Sequence, residues 1–116
     1  HLRLSPESTG LMNTERLQKM KKDSVLINTS RGAIVDEAAL VNALKNGPIS
    51  AAGLDVYTHE PLPADSPLRS LNNVILTPHI GWTVEEVFNE FAQIACTQLQ
   101  QYLNGALPAS ELLPAI

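Results

Sequence analysis

The sequence predicts an α/β fold built on a parallel sheet, and three observations lead there. Short β-type runs alternate with helix-type runs between Val25 and Leu103. The β-type runs are too brief for helices and are bounded by turn residues. Each cluster of chemically able polar residues follows one of them: Asn28 to Gly32, Asp55 to Glu60, and Thr77 to Trp82. In a parallel α/β sheet, residues placed this way converge on the rim beyond the carboxyl ends of the strands, where ligands bind.

The elements follow in order. His1-Leu2-Arg3-Leu4 is an apolar alternation expected to be an extended strand, and its abrupt start reads as a piece of something longer. Ser5 to Gly10 is a turn cluster, after which Asn13 is the expected N-cap of a short helix reaching Met20. Val25-Leu26-Ile27-Asn28 is a continuous apolar run, expected to be a strand buried on both faces. Asp36 caps the next helix, with Glu37 at the positive end of its dipole, Leu40 and Leu44 on its apolar stripe, and Gly47-Pro48 to stop it. Ile49 to Tyr57 holds the next strand and Val74-Ile75-Leu76 the last, with Pro61, Pro63 and Pro67 between them predicting a rigid loop free of regular structure. Thr83-x-x-Glu86 fits a capping box for a long helix from Val84 to Leu103, whose apolar residues recur at helical spacing as far as Asn104-Gly105.

Composition excludes several classes. The chain has 116 residues, 44% hydrophobic and 17% charged, which describes at most one domain. No stretch approaches the roughly 18 apolar residues of a membrane span, and the first residues are unlike a secretory signal, so the expectation is an intracellular, cytoplasmic protein without a membrane partner. The net charge of −4 and the short basic run of Arg16, Lys19, Lys21 and Lys22 argue against nucleic acid. A single cysteine allows no internal disulfide, and no cluster has metal-ligand spacing. Cys96, amid Ala92, Ile94 and Ala95, is expected to be an inert buried thiol.

On the predicted rim, Arg31, Glu60 and His79 are the groups able to do chemistry, with Asp55 shortly before Glu60. Each has an ordinary alternative: a surface or turn arginine, a solvated glutamate, a loop histidine, an aspartate capping backbone amides. Their arrangement as a set raises them above those alternatives.

Asn28-Thr29-Ser30-Arg31-Gly32-Ala33-Ile34-Val35-Asp36-Glu37, Gly53-Leu54-Asp55-Val56-Tyr57 with Glu60-Pro61, and Thr77-Pro78-His79-Ile80-Gly81 resemble the signatures of the NAD(P)-dependent D-isomer-specific 2-hydroxyacid dehydrogenases. His1 to Leu11 is similar to the segment preceding them in that family, so the likeness covers essentially the whole chain. It implies a partial Rossmann-type parallel sheet: residues 1–82 as the second half of a dinucleotide-binding domain, and 83–116 as a long helix and tail leading toward a substrate domain. It also implies hydride transfer between a nicotinamide cofactor, NAD or NADP, and a small 2-keto or D-2-hydroxy acid. Arg31 would clamp the substrate carboxylate through its planar fork of donors, and His79 would be the acid/base at the carbonyl oxygen. Glu60, on the other ring nitrogen, would hold the histidine charged and oriented. The cofactor positions implied are Asp55 for the nicotinamide carboxamide, Thr29 and Ser30 beside its ribose, Arg31, His79 and Gly81 around the ring, and His1 and Leu2 near the adenosine part. Trp82 would either line the substrate pocket or pack under the last helix.

The family's Gly-x-Gly-x-x-Gly phosphate loop and its substrate domain are absent from these residues, so the expectation is a fragment that alone binds dinucleotide poorly. The long apolar helix would then have lost partners, which predicts self-association, as in the dimers of the family. Two other readings are a dinucleotide-sensing interaction protein, like the C-terminal-binding corepressors of the same superfamily, and an inactive structural remnant. Formate dehydrogenase is disfavoured because its pattern carries Gln where Glu60 stands.

Overall fold

Side chains that accept backbone N–H groups start the first two helices where their positions predict. In a computed structural model, which describes residues 2–111, Asn13 Oδ1 accepts the Arg16 N–H at 3.1 Å and opens α1 (Thr14–Gln18). Asp36 Oδ1 accepts the Ala39 N–H at 3.0 Å and opens α2 (Glu37–Asn46). Each bond satisfies a donor that the first helical turn leaves without an intrahelical partner. α1 ends at Gln18, two residues short of expectation, and α2 ends at Asn46 with Gly47 as its C-cap before Pro48, where the residue ahead of a proline leaves the helical region.

Three parallel strands, β1 (Ser24–Asn28), β2 (Ile49–Leu54) and β3 (Val74–Leu76), lie side by side in chain order. β1 pairs with β2 from Ser24 opposite Ile49 to Asn28 opposite Leu54, and β2 pairs with β3 from Ala52 opposite Val74 to Leu54 opposite Leu76. The carboxyl ends of all three therefore stand level. α2 makes the crossover from β1 to β2, which fits the βαβ expectation. The return from β2 to β3 contains only a short 3-10 turn, Pro67–Ser70, with Pro67 at its start. Pro67 thus begins a helical turn instead of excluding one, because its fixed φ suits the first position.

One face of the sheet carries the core. Leu17 of α1, Ala39, Leu40, Ala43 and Leu44 of α2, and Leu68 pack on Leu26, Ile49, Ala52 and Leu54. The opposite face is bare: Ile27 is 72% and Ile75 73% exposed, and Val25 is exposed too. β1 is therefore not buried on both faces as its apolar run suggests. Leu26 and Asn28 point inward, toward the face that α1 and α2 cover, while Val25 and Ile27 point out.

The first residues also differ from expectation. Leu2 to Leu4 form no strand; Leu2 instead donates its N–H to Ser30 Oγ at 3.1 Å, and that hydroxyl donates to the Leu2 carbonyl at 2.7 Å. A side chain takes the hydrogen bonds that a ladder would have used.

The chain divides into two compact units, residues 1–81 and 82–116. The second holds α3 (Glu85–Leu103), which starts with Val84 at the N-cap position where Thr83 is expected. Glu85 and Glu86 in its first turn still complement the helix dipole. Trp82 packs on Phe88 and Phe91, with ring centroids 5.2 and 6.2 Å away, which is the helix-packing alternative for this residue. α3 buries none of its residues, and Cys96 is exposed, contrary to the expectation of a buried thiol. No helix among the described residues is long and apolar enough to cross a membrane.

Candidate active site

Three loops leave the level ends of the strands, and each carries one of the residues singled out by sequence. The loop after β1 presents Arg31. Buried Asn28 braces it from both sides, donating from Nδ2 to the Arg31 carbonyl at 3.0 Å and accepting the Ser30 N–H on Oδ1 at 3.1 Å. The Arg31 side chain is exposed and reaches back to the Ser30 carbonyl at 2.7 Å. Asn28 was not among the predicted site residues, although an amide ending an apolar strand is a readable signal for a braced turn.

The loop after β2 presents Glu60, and the loop after β3 presents His79. His79 Nδ1 lies 2.8 Å from Glu60 Oε2, with each side chain about one-third exposed (35% and 36%). Glu60 Oε1 accepts the Tyr57 N–H at 2.9 Å, so both carboxylate oxygens are directed. The hydrogen bond from His79 is the chief reason that the Glu60 carboxyl lies below its usual range; the Tyr57 N–H adds to it, burial opposes it, and the charges of His79 and Arg31 add further. Arg31 is thus electrostatically in reach of the pair. A carboxylate on Nδ1 leaves Nε2 as the ring nitrogen available to a substrate. His79 itself has φ of 57°, the left-handed region that a residue other than Gly occupies at a cost and that concentrates at functional sites.

Asp55 holds the His79 loop in that conformation. Its buried carboxylate accepts the Thr77 hydroxyl and the Ile80 N–H (2.9 Å) on Oδ1, and the Gly81 N–H (2.8 Å) on Oδ2. Burial raises its pKa, but these three hydrogen bonds and the His79 charge outweigh it and leave the group below the ordinary aspartate range. A Cβ on Gly81 would stand 3.0 Å from Asp55 Oδ2, so this loop sits close on the carboxylate. Tyr57, also buried, shares its hydroxyl proton between the carbonyls of Thr77 (2.8 Å) and Leu54 (3.0 Å). Burial foremost, then the Asp55 charge, pushes the phenol above its ordinary range and keeps it a neutral donor.

Glu60 and His79 line an open cavity of about 620 Å³ with Tyr57, Arg69 and Leu76 among its walls. Arg31 lines a separate shallow groove of about 280 Å³ with Thr29, Ser30 and Leu2 to Leu4. Four of the positions implied for a dinucleotide, Leu2, Thr29, Ser30 and Arg31, therefore share one groove. Asp55 Oδ2 accepts the Gly81 N–H, and a carboxylate oxygen has a second lone pair suited to an amide donor. This donor set suits the nicotinamide side of a dinucleotide, and no phosphate-cradling glycine loop occurs in the sequence. His1 lies outside the described residues. Among those described, no group of three metal-ligating side chains comes together.

Comparison with known proteins defines the class. Residues 1–81 match the family model described as D-isomer specific 2-hydroxyacid dehydrogenase, NAD binding domain. The chain belongs to this family. A glyoxylate reductase from Thermofilum pendens is 47% identical over 108 residues, covering 93% of this chain and 32% of the relative. Among solved structures, a D-isomer specific 2-hydroxyacid dehydrogenase from Xanthobacter autotrophicus Py2 in complex with NADPH and MES matches with TM-score 0.74 and 38% identity, over 97% of this chain and 46% of that one. D-lactate dehydrogenase with NAD+ from Lactobacillus jensenii matches with TM-score 0.86 and 31% identity, over 99% and 38%. The chain spans about a third of the length of the glyoxylate reductase it matches.

Proposed function

We propose that this chain carries the reacting groups of an oxidoreductase that interconverts a small 2-keto acid and a D-2-hydroxy acid with NAD or NADP. The observation that carries this reading is the 2.8 Å contact between His79 Nδ1 and Glu60, beside the charge of Arg31. Arg31 binds the substrate carboxylate as a two-pronged donor and so orients the neighbouring carbonyl. His79 gives a proton from Nε2 to the carbonyl oxygen during reduction and takes it back in the reverse direction. Glu60 fixes the orientation of the ring through Nδ1. When bound, the dinucleotide supplies or accepts the hydride at the carbonyl carbon. Thr29, Ser30, Arg31, Asp55, His79 and Gly81 hold its nicotinamide side, and His1 and Leu2 lie near its adenosine part. A 2-keto acid of glyoxylate size is the proposed substrate, after the glyoxylate reductase relative.

Residues 1–82 serve in this reading as the second half of the dinucleotide-binding domain, and 83–116 as the helix and tail that lead toward a substrate domain. The protein is read as a cytoplasmic homo-oligomer, its self-association supported by the exposed apolar residues Phe88, Phe91, Leu99 and Leu103 of α3. The test of the substrate reading is Arg31→Ala in the full-length protein, assayed with glyoxylate and NADH. The expected result is a rise in KM and a loss of kcat/KM of roughly a hundredfold or more. Unchanged kcat/KM would remove Arg31 from the carboxylate.

A further inference from the structure

Arg31, Glu60 and His79 stand on three separate loops, yet one residue touches all three. On the Arg31 loop, a Cβ added to Gly32 would stand 1.9 Å from the Tyr57 carbonyl carbon, 2.1 Å from its oxygen and 2.5 Å from Thr58 N. The backbone beside Arg31 therefore rests directly on the Tyr57–Thr58 peptide, an approach closed to any residue with a side chain. On its own loop, the Tyr57 N–H holds Glu60 Oε1. On the His79 loop, the Tyr57 hydroxyl holds the Thr77 carbonyl, two residues before His79. The ring between these contacts is buried in the core.

We propose that Tyr57 is a positioning residue, with Gly32 as its seat, that sets the three loops in register and so fixes the spacing of Arg31, Glu60 and His79. The proposal rests on the reading of those three as the reacting groups. Its two halves separate experimentally. Tyr57→Phe removes the hydroxyl, with its bonds to Thr77 of the His79 loop and to Leu54, and leaves the ring, the peptide and the N–H to Glu60. Gly32→Ala forces the Arg31 loop off the Tyr57 peptide and leaves the strut.

Both variants are made in the full-length protein, with the Arg31→Ala and His79→Asn variants alongside, and kcat and KM are measured with glyoxylate and NADH. Tyr57→Phe is expected to lower kcat about tenfold with little change in KM, as for the loss of one alignment hydrogen bond. Gly32→Ala is expected to raise KM for the keto acid and to lower kcat/KM roughly a hundredfold, the scale of an ångström of misplacement. A purely structural tyrosine would lower kcat equally in any background, so Tyr57→Phe is repeated on Glu60→Gln. The proposal expects an effect of less than about twofold there, since both changes act on the same histidine. A tenfold loss in both backgrounds, or none in either, overturns it. If Gly32→Ala does not fold, the Tyr57→Phe cycle decides alone. Full activity of Arg31→Ala and His79→Asn overturns the site reading and this inference together. Inactive Arg31→Ala and His79→Asn beside a wild-type Tyr57→Phe overturn only the inference.

Discussion

α2 and α3 are both amphipathic helices with apolar residues at helical spacing, and they end up in opposite circumstances. α2 buries Ala39, Leu40, Ala43 and Leu44 against the sheet, whereas α3 buries nothing and exposes Phe88, Phe91 and Leu103. Periodicity announces that a helix has one apolar face; it does not say what covers that face. The same distinction runs through the sheet, where Leu26 and Ile27 are neighbours of equal hydrophobicity and only Leu26 finds a partner layer. The unit that buries its stripe is also the unit that holds Arg31, Glu60 and His79, since fixed loop geometry needs a fixed scaffold beneath it.

The sharpest way to break this comparison is a pair of truncations in the 116-residue chain, read by urea denaturation. Leu40→Ala, at the centre of the core, is expected to cost about 2–5 kcal/mol. Phe91→Ala on α3 is expected to fall within about 0.5 kcal/mol at concentrations that keep the chain monomeric, as for an exposed position. A large cost for Phe91→Ala would show that the α3 stripe is covered in solution, and concentration dependence of that cost would identify the cover as a second copy.

A smaller effect tests the loop scaffold. Asp55→Asn places a donor where the Gly81, Ile80 or Thr77 donors need an acceptor, at a cost of about 1–3 kcal/mol at neutral pH. Because the Asp55 and Glu60 carboxyls titrate below their ordinary values, the stability they contribute is complete above the usual carboxylate range and fades as pH falls through the lowered values. The gap in melting temperature between wild type and Asp55→Asn should therefore be widest near neutrality and close in acid. A gap that stayed constant would separate it from ionisation of Asp55. Smaller again is Asp36→Ala, which removes the α2 cap and is expected to cost about 1 kcal/mol by the same denaturation measurement.

Much of the fold was legible because local signals were explicit. Asn13 and Asp36 cap the helices they were assigned to, Gly47-Pro48 ends α2, and the three apolar runs form the three strands. What escaped depends on partners beyond the local pattern: the bare face of β1, the exposed Cys96, and Leu2 tied to a hydroxyl instead of a strand. The site divides along the same line. Residue types and order pointed to Arg31, Glu60 and His79, and strand register explains how they meet at one rim. The supports did not announce themselves. Tyr57 and Gly32 act through contacts that cross between loops, which no spacing in one dimension encodes.

The central claim is that His79, held by Glu60, passes the proton at the carbonyl oxygen. The direct measurement is single-turnover reduction of glyoxylate by the His79→Asn variant of the full-length protein preloaded with NADH. Asparagine retains hydrogen bonding but cannot transfer a proton, so the account predicts a rate reduced at least a hundredfold at saturating NADH. A wild-type rate would contradict it and place the acid/base elsewhere.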